Sequence, residues 1–175
     1  RQMCIRDSPS RMGRWSAVQL RGQKQEKIWV ISAYRVSQDT LPGPQTAYAQ
    51  QHRMLLDADV LDPRPRRQFI TDLTLFITNI TKKHEHVILA LDANEVLEPP
   101  EVTVKPTSIT ALQRACGLQD VYEYQHDTPG DTTSKKQHKI DHLLISPALL
   151  PAVIRSGFLP FGEVLESCLL YTSPS

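Results

Sequence analysis

The stretch that decides the fold is Val87-Ile88-Leu89-Ala90-Leu91-Asp92-Ala93-Asn94-Glu95, where five apolar residues run directly into a polar end. A short, continuous apolar run bounded by charge is typical of a central strand whose two faces are both buried. The segment before it, from Arg67 to His84, predicts a helix with one apolar stripe made of Phe69, Leu73, Phe76, Ile77 and Ile80.

The elements predicted around this strand alternate between extended and helical segments. Two β-rich runs, Trp15 to Leu20 and Lys27 to Tyr34, are separated by a polar stretch that predicts a hairpin. Further along we expect helices over 45–57 and 108–116, a strand over 140–146 and a helical turn over 147–154. Such a mixed order predicts an α/β fold.

The composition is that of an ordinary soluble globular chain. Of 175 residues, 40% are apolar and 22% charged, with 20 Lys and Arg against 19 Asp and Glu. This balance excludes a strongly basic tail or an acidic solvating protein, but a local basic face that binds nucleic acid remains compatible with it. No apolar run approaches the roughly 20 residues that span a bilayer, so we expect no membrane association.

Both ends of the chain look foreign to the rest. Residues 1–10 and 168–175 resemble peptides translated from adapter DNA in environmental sequence fragments, so we predict one partial domain over 11–167. The alternative is a real pair of frayed termini. Without these ends only Cys116 remains of three cysteines, which disfavours a disulfide scaffold or structural zinc and favours an intracellular protein.

Asp92 and Asn94 are the first candidates for chemistry. They follow the central strand directly, and ligands of layered α/β folds gather at strand ends. We expect the two side chains to point to the same side, with Asp92 orienting or deprotonating a water and Asn94 holding an oxyanion or phosphate. The alternative is an Asp/Asn turn with no function.

Two other segments carry candidate site residues. Asp141 lies in an otherwise apolar strand, where burial of a lone carboxylate is costly, so we expect it to have a partner such as a histidine. The alternatives are a salt bridge to Lys139 and an edge position that faces water. The next residue, His142, should point to the opposite face. Tyr34 and Arg35 end the second hairpin strand and could both bind phosphate, although such a Tyr is more often part of the core.

Taken in order, these segments resemble the endonuclease/exonuclease/phosphatase (DNase I-like) superfamily. Tyr34-Arg35-Val36 is similar to its tyrosine motif, and Leu91-Asp92-Ala93-Asn94 to its Gly-Asp-x-Asn motif. The stretch Ile140-Asp141-His142-Leu143-Leu144-Ile145-Ser146 is similar to its Arg-Ile-Asp-Tyr-Ile-x-x-Ser strand. The resemblance runs from about Trp15 to Ser167.

The resemblance implies a four-layer α/β/β/α sandwich of two mixed β-sheets flanked by helices, here incomplete at both ends. It implies hydrolysis of phosphate esters with a divalent metal, Mg²⁺ or Mn²⁺. It further implies that Asp92 activates water, Asn94 contacts the scissile phosphate, Tyr34 binds a phosphate oxygen and Asp141 pairs with the catalytic histidine.

The sequence also departs from the family pattern. Nothing upstream matches the family's early Asn and metal-binding Glu, and the closing Ser-Asp-His motif has no counterpart beyond Ser167. Leu91 stands where the family usually has Gly. We therefore expect the parent protein to be an enzyme and this piece alone to be inactive.

We expect a monomeric nuclease that acts on DNA, of the kind found as retroelement endonuclease domains, and we predict no protein partner for it. The alternatives are a phosphatase of a small molecule or lipid headgroup, and an inactive binding domain of the same fold. The basic runs Arg64 to Arg67 and Lys135 to Lys139 could contact backbone phosphates, although short charge runs are more often solvated surface.

Overall fold

The computed structural model describes residues 4–7, 12–22, 26–37, 43, 45–99, 102–128 and 138–157, with only the backbone of 4–7. The strands are β1 (Cys4–Asp7), β2 (Trp15–Arg21), β3 (Lys27–Tyr34), β4 (His86–Asp92), β5 (Gln119–Asp120) and β6 (Asp141–Ile145). The α-helices are α1 (Ala47–Asp57), α2 (Pro65–Thr81), α3 (Ile109–Cys116) and α4 (Val121–His126), and a 3₁₀ helix covers Pro147–Ala152.

The six strands form one mixed sheet in the order β1-β2-β3-β4-β6-β5. Strands β2 and β3 pair antiparallel, which confirms the predicted hairpin. Strand β4 pairs parallel with β3 and antiparallel with β6, so it is central, as its apolar run predicted. The connection between the parallel strands β3 and β4 carries α1 and α2, as parallel pairing requires a long crossover.

The helices begin and end close to where the sequence predicted. Helix α2 starts two residues earlier than expected because Pro65 occupies its first turn, where the missing N–H costs nothing. Helix α3 is capped by the Ser108 side chain, which accepts from the Ala111 N–H at 3.1 Å. It ends at Gly117, whose φ of 63° is the left-handed conformation that glycine adopts at helix ends.

One face of the sheet packs on α2 and α3 to form the main core. The inward residues of β3 and β4 alternate along each strand and meet the apolar stripe of α2. This core includes Trp15, Trp29, Ile31, Phe69, Leu73, Ile77, Val87, Leu89, Leu91, Ile109, Leu112 and Leu144. The predicted stripe is therefore confirmed, with Phe76 partly buried at its margin.

The opposite face of the sheet is largely open in the described part of the chain. Val30 and Leu143 are exposed there, and Ala90 in the centre of β4 is exposed as well. A smaller cluster of Val121, Ile145 and Leu150 covers one corner, against Ile88. The expectation that β4 is buried on both faces is thus wrong here, because the described residues supply no second layer over its middle.

Two short elements escaped the sequence analysis. Strand β5 has two residues and α4 has six, lengths at which no hydrophobic period can be recognised. Backbone pairing of β1 with β2 falls within 1–10, the region that we predict to be non-native, and that prediction stays open. Residues 158–175, with Ser167 and the second foreign end, lie outside the described residues. Among the described helices, none is long and apolar enough to cross a bilayer.

The packing predicts a sharp contrast between two leucines of α2. Leu73 is fully buried whereas Leu75 is 60% exposed. We expect Leu73→Ala to lower the free energy of unfolding by about 2–5 kcal/mol because it leaves a cavity. The matched control Leu75→Ala should change it by less than about 0.5 kcal/mol. Urea unfolding followed by circular dichroism measures both, and equal losses would contradict this packing.

Candidate active site

Three polar residues from distant parts of the sequence form one row across adjacent strands. Tyr34 is the register partner of Asp92 in the β3–β4 pair, and Asp92 is the register partner of Asp141 in the β4–β6 pair. Paired strands lie about 4.8 Å apart, so the three residues are side by side. By alternation all three belong to the open face of the sheet.

The direction of the strands explains why the row lies at an edge. Strands β3 and β4 are parallel and end at Tyr34 and Asp92, whereas β6 runs the other way and begins at Asp141. The three polar positions therefore meet where the strands give way to loops. This is the place where ligands of α/β sheets usually bind.

The row borders a cleft of about 780 Å³ on the open face. Tyr34, Asp92 and Asp141 all line it, together with small residues of β3 and β4 such as Ser32 and Ala90. Tyr34 is 41% exposed, so the interpretation of this residue as part of the core does not hold. A phenolic hydroxyl and two carboxylates thus share one solvent-accessible cavity.

The Asp92 carboxyl has a raised pKa. Partial burial is the main cause, and the nearby Asp141 carboxylate adds to it, while the hydrogen bond from the Asn94 N–H and the His142 ring act in the opposite direction. A carboxylate that holds its proton more tightly is also a better base once ionised. Asp92 therefore has the environment expected of a proton acceptor.

Asn94 does not point into the same cleft as Asp92. Its φ of 47° places it in the left-handed region, just after the strand has ended, so the alternation that predicted a common side no longer applies. Its side-chain amide donates to the Arg35 carbonyl at 2.8 Å, and its N–H donates to Asp92 Oδ1 at 3.1 Å. The expected common orientation is wrong, and the Asp/Asn turn is present.

An ion-pair cluster fixes these strand ends from the helix side. The Glu95 carboxylate binds both the Arg35 and the Arg66 guanidinium groups, and it accepts the Ile109 N–H at 3.1 Å. Arg66 also donates to the carbonyl oxygens of Val36 and Asn94, at 2.6 and 3.3 Å. The turn after β4 is thereby tied to the end of β3 and to the starts of α2 and α3.

Arg35 holds neighbouring elements together and is not placed to bind phosphate, the role considered for it from the sequence. Its side chain is buried, and besides Glu95 it donates to the Thr107 carbonyl at 2.9 Å. Burial lowers the pKa of its guanidinium, with the hydrogen bond to Glu95 opposing that shift. Tyr34, the last residue of β3, faces the cleft, whereas Arg35, just beyond the strand, is buried on the helix side.

The two residues that begin β6 also separate. Asp141 is exposed to the cleft, which agrees with the alternative of a position that faces water. His142 is buried on the opposite side, as predicted. Its Nε2 lies 3.0 Å from the carbonyl oxygen of Glu95, an acceptor, so Nε2 is the donor of this hydrogen bond. His142 therefore belongs to the framework and does not face the row.

A buried cluster that the sequence analysis did not single out lies where β5 pairs with β6, and its residues also line the cleft. The Lys139 ammonium binds Asp120 Oδ2 at 2.9 Å, and His142 Nδ1 lies 3.7 Å from the same oxygen. Burial raises the pKa of Asp120, but the His142 ring and Lys139 outweigh it, so the pKa lies below its usual range. The sequence did contain a signal for this cluster. Lys139 lies next to a predicted strand, and a lysine that is buried there needs a carboxylate partner.

A divalent metal needs more ligands than the row supplies. Among the described residues, no group of three or more His, Cys, Asp or Glu side chains is placed to hold a metal ion. Asp92 and Asp141 are two carboxylates, whereas Mg²⁺ requires six ligands, several of them often water. The described residues alone therefore do not make up a complete metal site.

Comparison of sequences finds no relative. No protein-family model matches the chain, and no curated protein matches it either.

Comparison of structures does find similar folds. A 3′-5′ exonuclease (NExo) from Neisseria meningitidis is similar over 85% of this chain and 60% of that chain, with 19% identity and a TM-score of 0.50. NExo from Neisseria, as a 3′ phosphatase bound to product DNA hairpin, covers 84% of this chain and 59% of that one, with 17% identity and a TM-score of 0.49. The match to the human Nocturnin catalytic domain with bound sulfate covers 76% of this chain and 41% of that domain's chain, with 15% identity and a TM-score of 0.45.

Each of these three matches covers only part of the matched structure. The chain spans 41 to 60% of the length of these three structures. At such low identity the likeness to the N. meningitidis exonuclease shows a shared fold.

The environment of Asp92 predicts a pH-dependent stability difference. Its raised pKa means that the folded chain loses stability as pH rises through the range in which Asp92 ionises. Asp92→Asn removes this cost, so we expect a Tm about 1–3 °C above that of the unchanged chain at neutral pH. The gain should shrink toward pH ~3, below the ordinary pKa of an Asp carboxyl, where Asp92 is protonated in both folded and unfolded states.

Scanning calorimetry between these pH values is the measurement. Glu26→Gln, which neutralises an exposed carboxylate, serves as the control and should show no such trend. A gain that increases on acidification would contradict the account of Asp92.

Proposed function

We propose that this chain, which has the DNase I-like endonuclease/exonuclease/phosphatase fold, is part of a metal-dependent phosphodiester hydrolase that acts on DNA. The observation that carries the proposal is the row of Tyr34, Asp92 and Asp141 in register across three strands. These residues come from the three motifs on which the sequence resemblance depends. A 3′-5′ exonuclease is among the structures of similar fold.

The row supplies groups for positioning a phosphodiester and a water. The Tyr34 hydroxyl donates a hydrogen bond to a non-bridging phosphate oxygen. The Asp92 carboxylate accepts a proton from the water whose oxygen attacks phosphorus, and its raised pKa favours that transfer. The bond from phosphorus to the leaving oxygen breaks, and that oxygen takes up a proton. Positioning and electrostatic stabilisation account for most catalysis of this kind.

Asn94 and Asp141 have different parts in this proposal. Asn94 acts as a positioning residue, since its amide holds the end of β3 at the Arg35 carbonyl while its N–H holds Asp92 Oδ1. Asp141 faces the cleft, where it can orient a histidine. The described His142 faces away, so the histidine of the proposal comes from outside the described residues.

Mg²⁺ or Mn²⁺ is the cofactor of the proposal, and when bound it would neutralise charge on the phosphate. In this proposal Asp92 serves as the base and Asp141 orients a histidine, so the metal ligands would come largely from outside the described residues. In the whole gene, a neighbouring reverse-transcriptase region would support a retroelement endonuclease domain.

The proposal is tested by Mg²⁺-dependent cleavage of plasmid and abasic-site DNA by the complete gene product. We expect Asp92→Ala to lower the rate by about 10²–10⁴-fold, the usual contribution of a general base. We expect Asn94→Ala to lower it too. Tyr34→Phe should lower it roughly tenfold, the value of one hydrogen bond to a charged group.

Matched variants separate the site from general damage. Tyr124 is 52% exposed on α4, away from the row, so Tyr124→Phe should leave the rate unchanged. The 175-residue chain alone should show no cleavage. If the complete product cleaves no DNA but hydrolyses a phosphorylated lipid or small molecule, DNA as substrate is wrong. If it hydrolyses nothing, the fold serves as a binding domain.

A further inference from the structure

A second cleft lies on the helix side of the strand ends, next to the row. It has a volume of about 390 Å³ and is lined by five cationic side chains, Arg35, Arg64, Arg66, Arg67 and Lys105. Two carboxylates, Glu95 and Glu98, line it as well. The excess of positive charge is unexpected for a chain whose net charge is only +1.

The five cations fall into two groups. Arg35 and Arg66 are committed to Glu95 and to backbone carbonyls, so they form the wall. Arg64 and Arg67, at the start of α2, are 71% and 57% exposed in their side chains, and both bind Asp62, at 2.8 and 2.9 Å. Exposed ion pairs of this kind contribute little to stability, so these guanidinium groups can exchange Asp62 for another anion.

The second cleft lies at the same strand ends as the row, on the other side of the sheet. Tyr34 lines the first cleft and Arg35, the next residue, lines the second. The wall residue Arg66 donates to the Asn94 carbonyl at 3.3 Å, two residues beyond Asp92. A ligand with one phosphate over the row and another in the second cleft would therefore cross only the end of β3.

The rim of the cleft also offers an aromatic surface. Tyr48 of α1 lines the cleft, and its ring stacks on His52 with centroids 6.5 Å apart and an interplanar angle of 12°. Cationic grooves interleaved with aromatic rings are typical of proteins that bind single strands of nucleic acid, because bases stack on the rings while phosphates meet the cations.

We propose that the cleft of Arg64, Arg67, Lys105 and Tyr48 binds the strand that flanks the scissile phosphodiester of a nucleic acid. This inference deepens the proposed function and rests on it. A polymer of phosphodiesters presents phosphates at regular spacing, so it can fill both clefts at once. A phosphorylated small molecule with one phosphate can fill only one of them.

Fluorescence anisotropy with a labelled 16-nucleotide single strand tests the cleft independently of catalysis. The complete gene product is titrated in EDTA, which prevents metal-dependent cleavage, at several salt concentrations. We expect the double variant of Arg64→Gln and Arg67→Gln to bind about tenfold more weakly. The slope of log K against log salt should fall by about 1 for each lost phosphate contact.

The control removes two cations at the other end of the same helix. Lys82 and Lys83 follow α2 and are exposed, so the double variant of Lys82→Gln and Lys83→Gln should keep both affinity and slope. An equal loss in the two double variants would show binding by overall charge and overturn the inference. Unchanged binding by the arginine variant would overturn it as well.

Combining the binding and cleavage assays separates the two proposals. If Asp92→Ala abolishes cleavage and the arginine variant binds normally, the proposed function stands and the cleft inference fails. If the arginine variant loses binding and no variant cleaves DNA, the cleft stands and the hydrolase proposal fails. Binding of vesicles containing anionic lipid, lost in the arginine variant while oligonucleotide binding is unchanged, would assign the cleft to a membrane surface and overturn the inference.

Discussion

The arrangement of the site depends on the ion pair between the buried Arg35 and the partly exposed Glu95. Arg35 follows the last residue of β3, and Glu95 follows the turn after β4, so the pair joins the ends of two strands that are far apart in sequence. Because Arg35 is buried, its guanidinium group without Glu95 would be a desolvated, uncompensated charge. The parallel pairing of β3 and β4 at their ends, and with it the register of Tyr34 and Asp92, is thereby stabilised.

The same pair divides the molecule into two surfaces. On the open face of the sheet, Tyr34, Asp92 and Asp141 border a cleft with mixed polar groups. On the helix side, Glu95 gathers Arg35 and Arg66 and leaves Arg64 and Arg67 exposed at the start of α2. A strand of nucleic acid that passes over the end of β3 would meet both surfaces, so recognition and chemistry would share one structural support.

Local patterns in the sequence were sufficient for much of the fold. The apolar run before Asp92 predicted the central strand, and the stripe containing Leu73 predicted α2. Elements as short as β5 and α4 carry no periodic signal. Strand alternation also predicted that Asp141 and His142 face opposite sides of the sheet. It could not predict which side is covered by other elements, because those elements lie far away in the sequence.

Sequence motifs named the residues of the candidate row but did not predict its geometry. Motifs at strand ends singled out Tyr34, Asp92 and Asp141, whereas their alignment in one row depends on long-range register that no local pattern encodes. The side chain of Asn94 does not point to the same side as that of Asp92, because Asn94 adopts a left-handed backbone conformation after the strand ends. Arg35 is not positioned for the phosphate binding considered from the sequence, because it binds Glu95, which lies sixty residues later in the chain.

The most direct test of the central claim is a crystal structure of the complete protein with a non-hydrolysable phosphorothioate oligonucleotide. The account predicts one phosphate group within hydrogen-bond distance of the Tyr34 hydroxyl, above the row that contains Asp92 and Asp141. An oligonucleotide bound elsewhere, with the cleft beside this row free of phosphate, would contradict it.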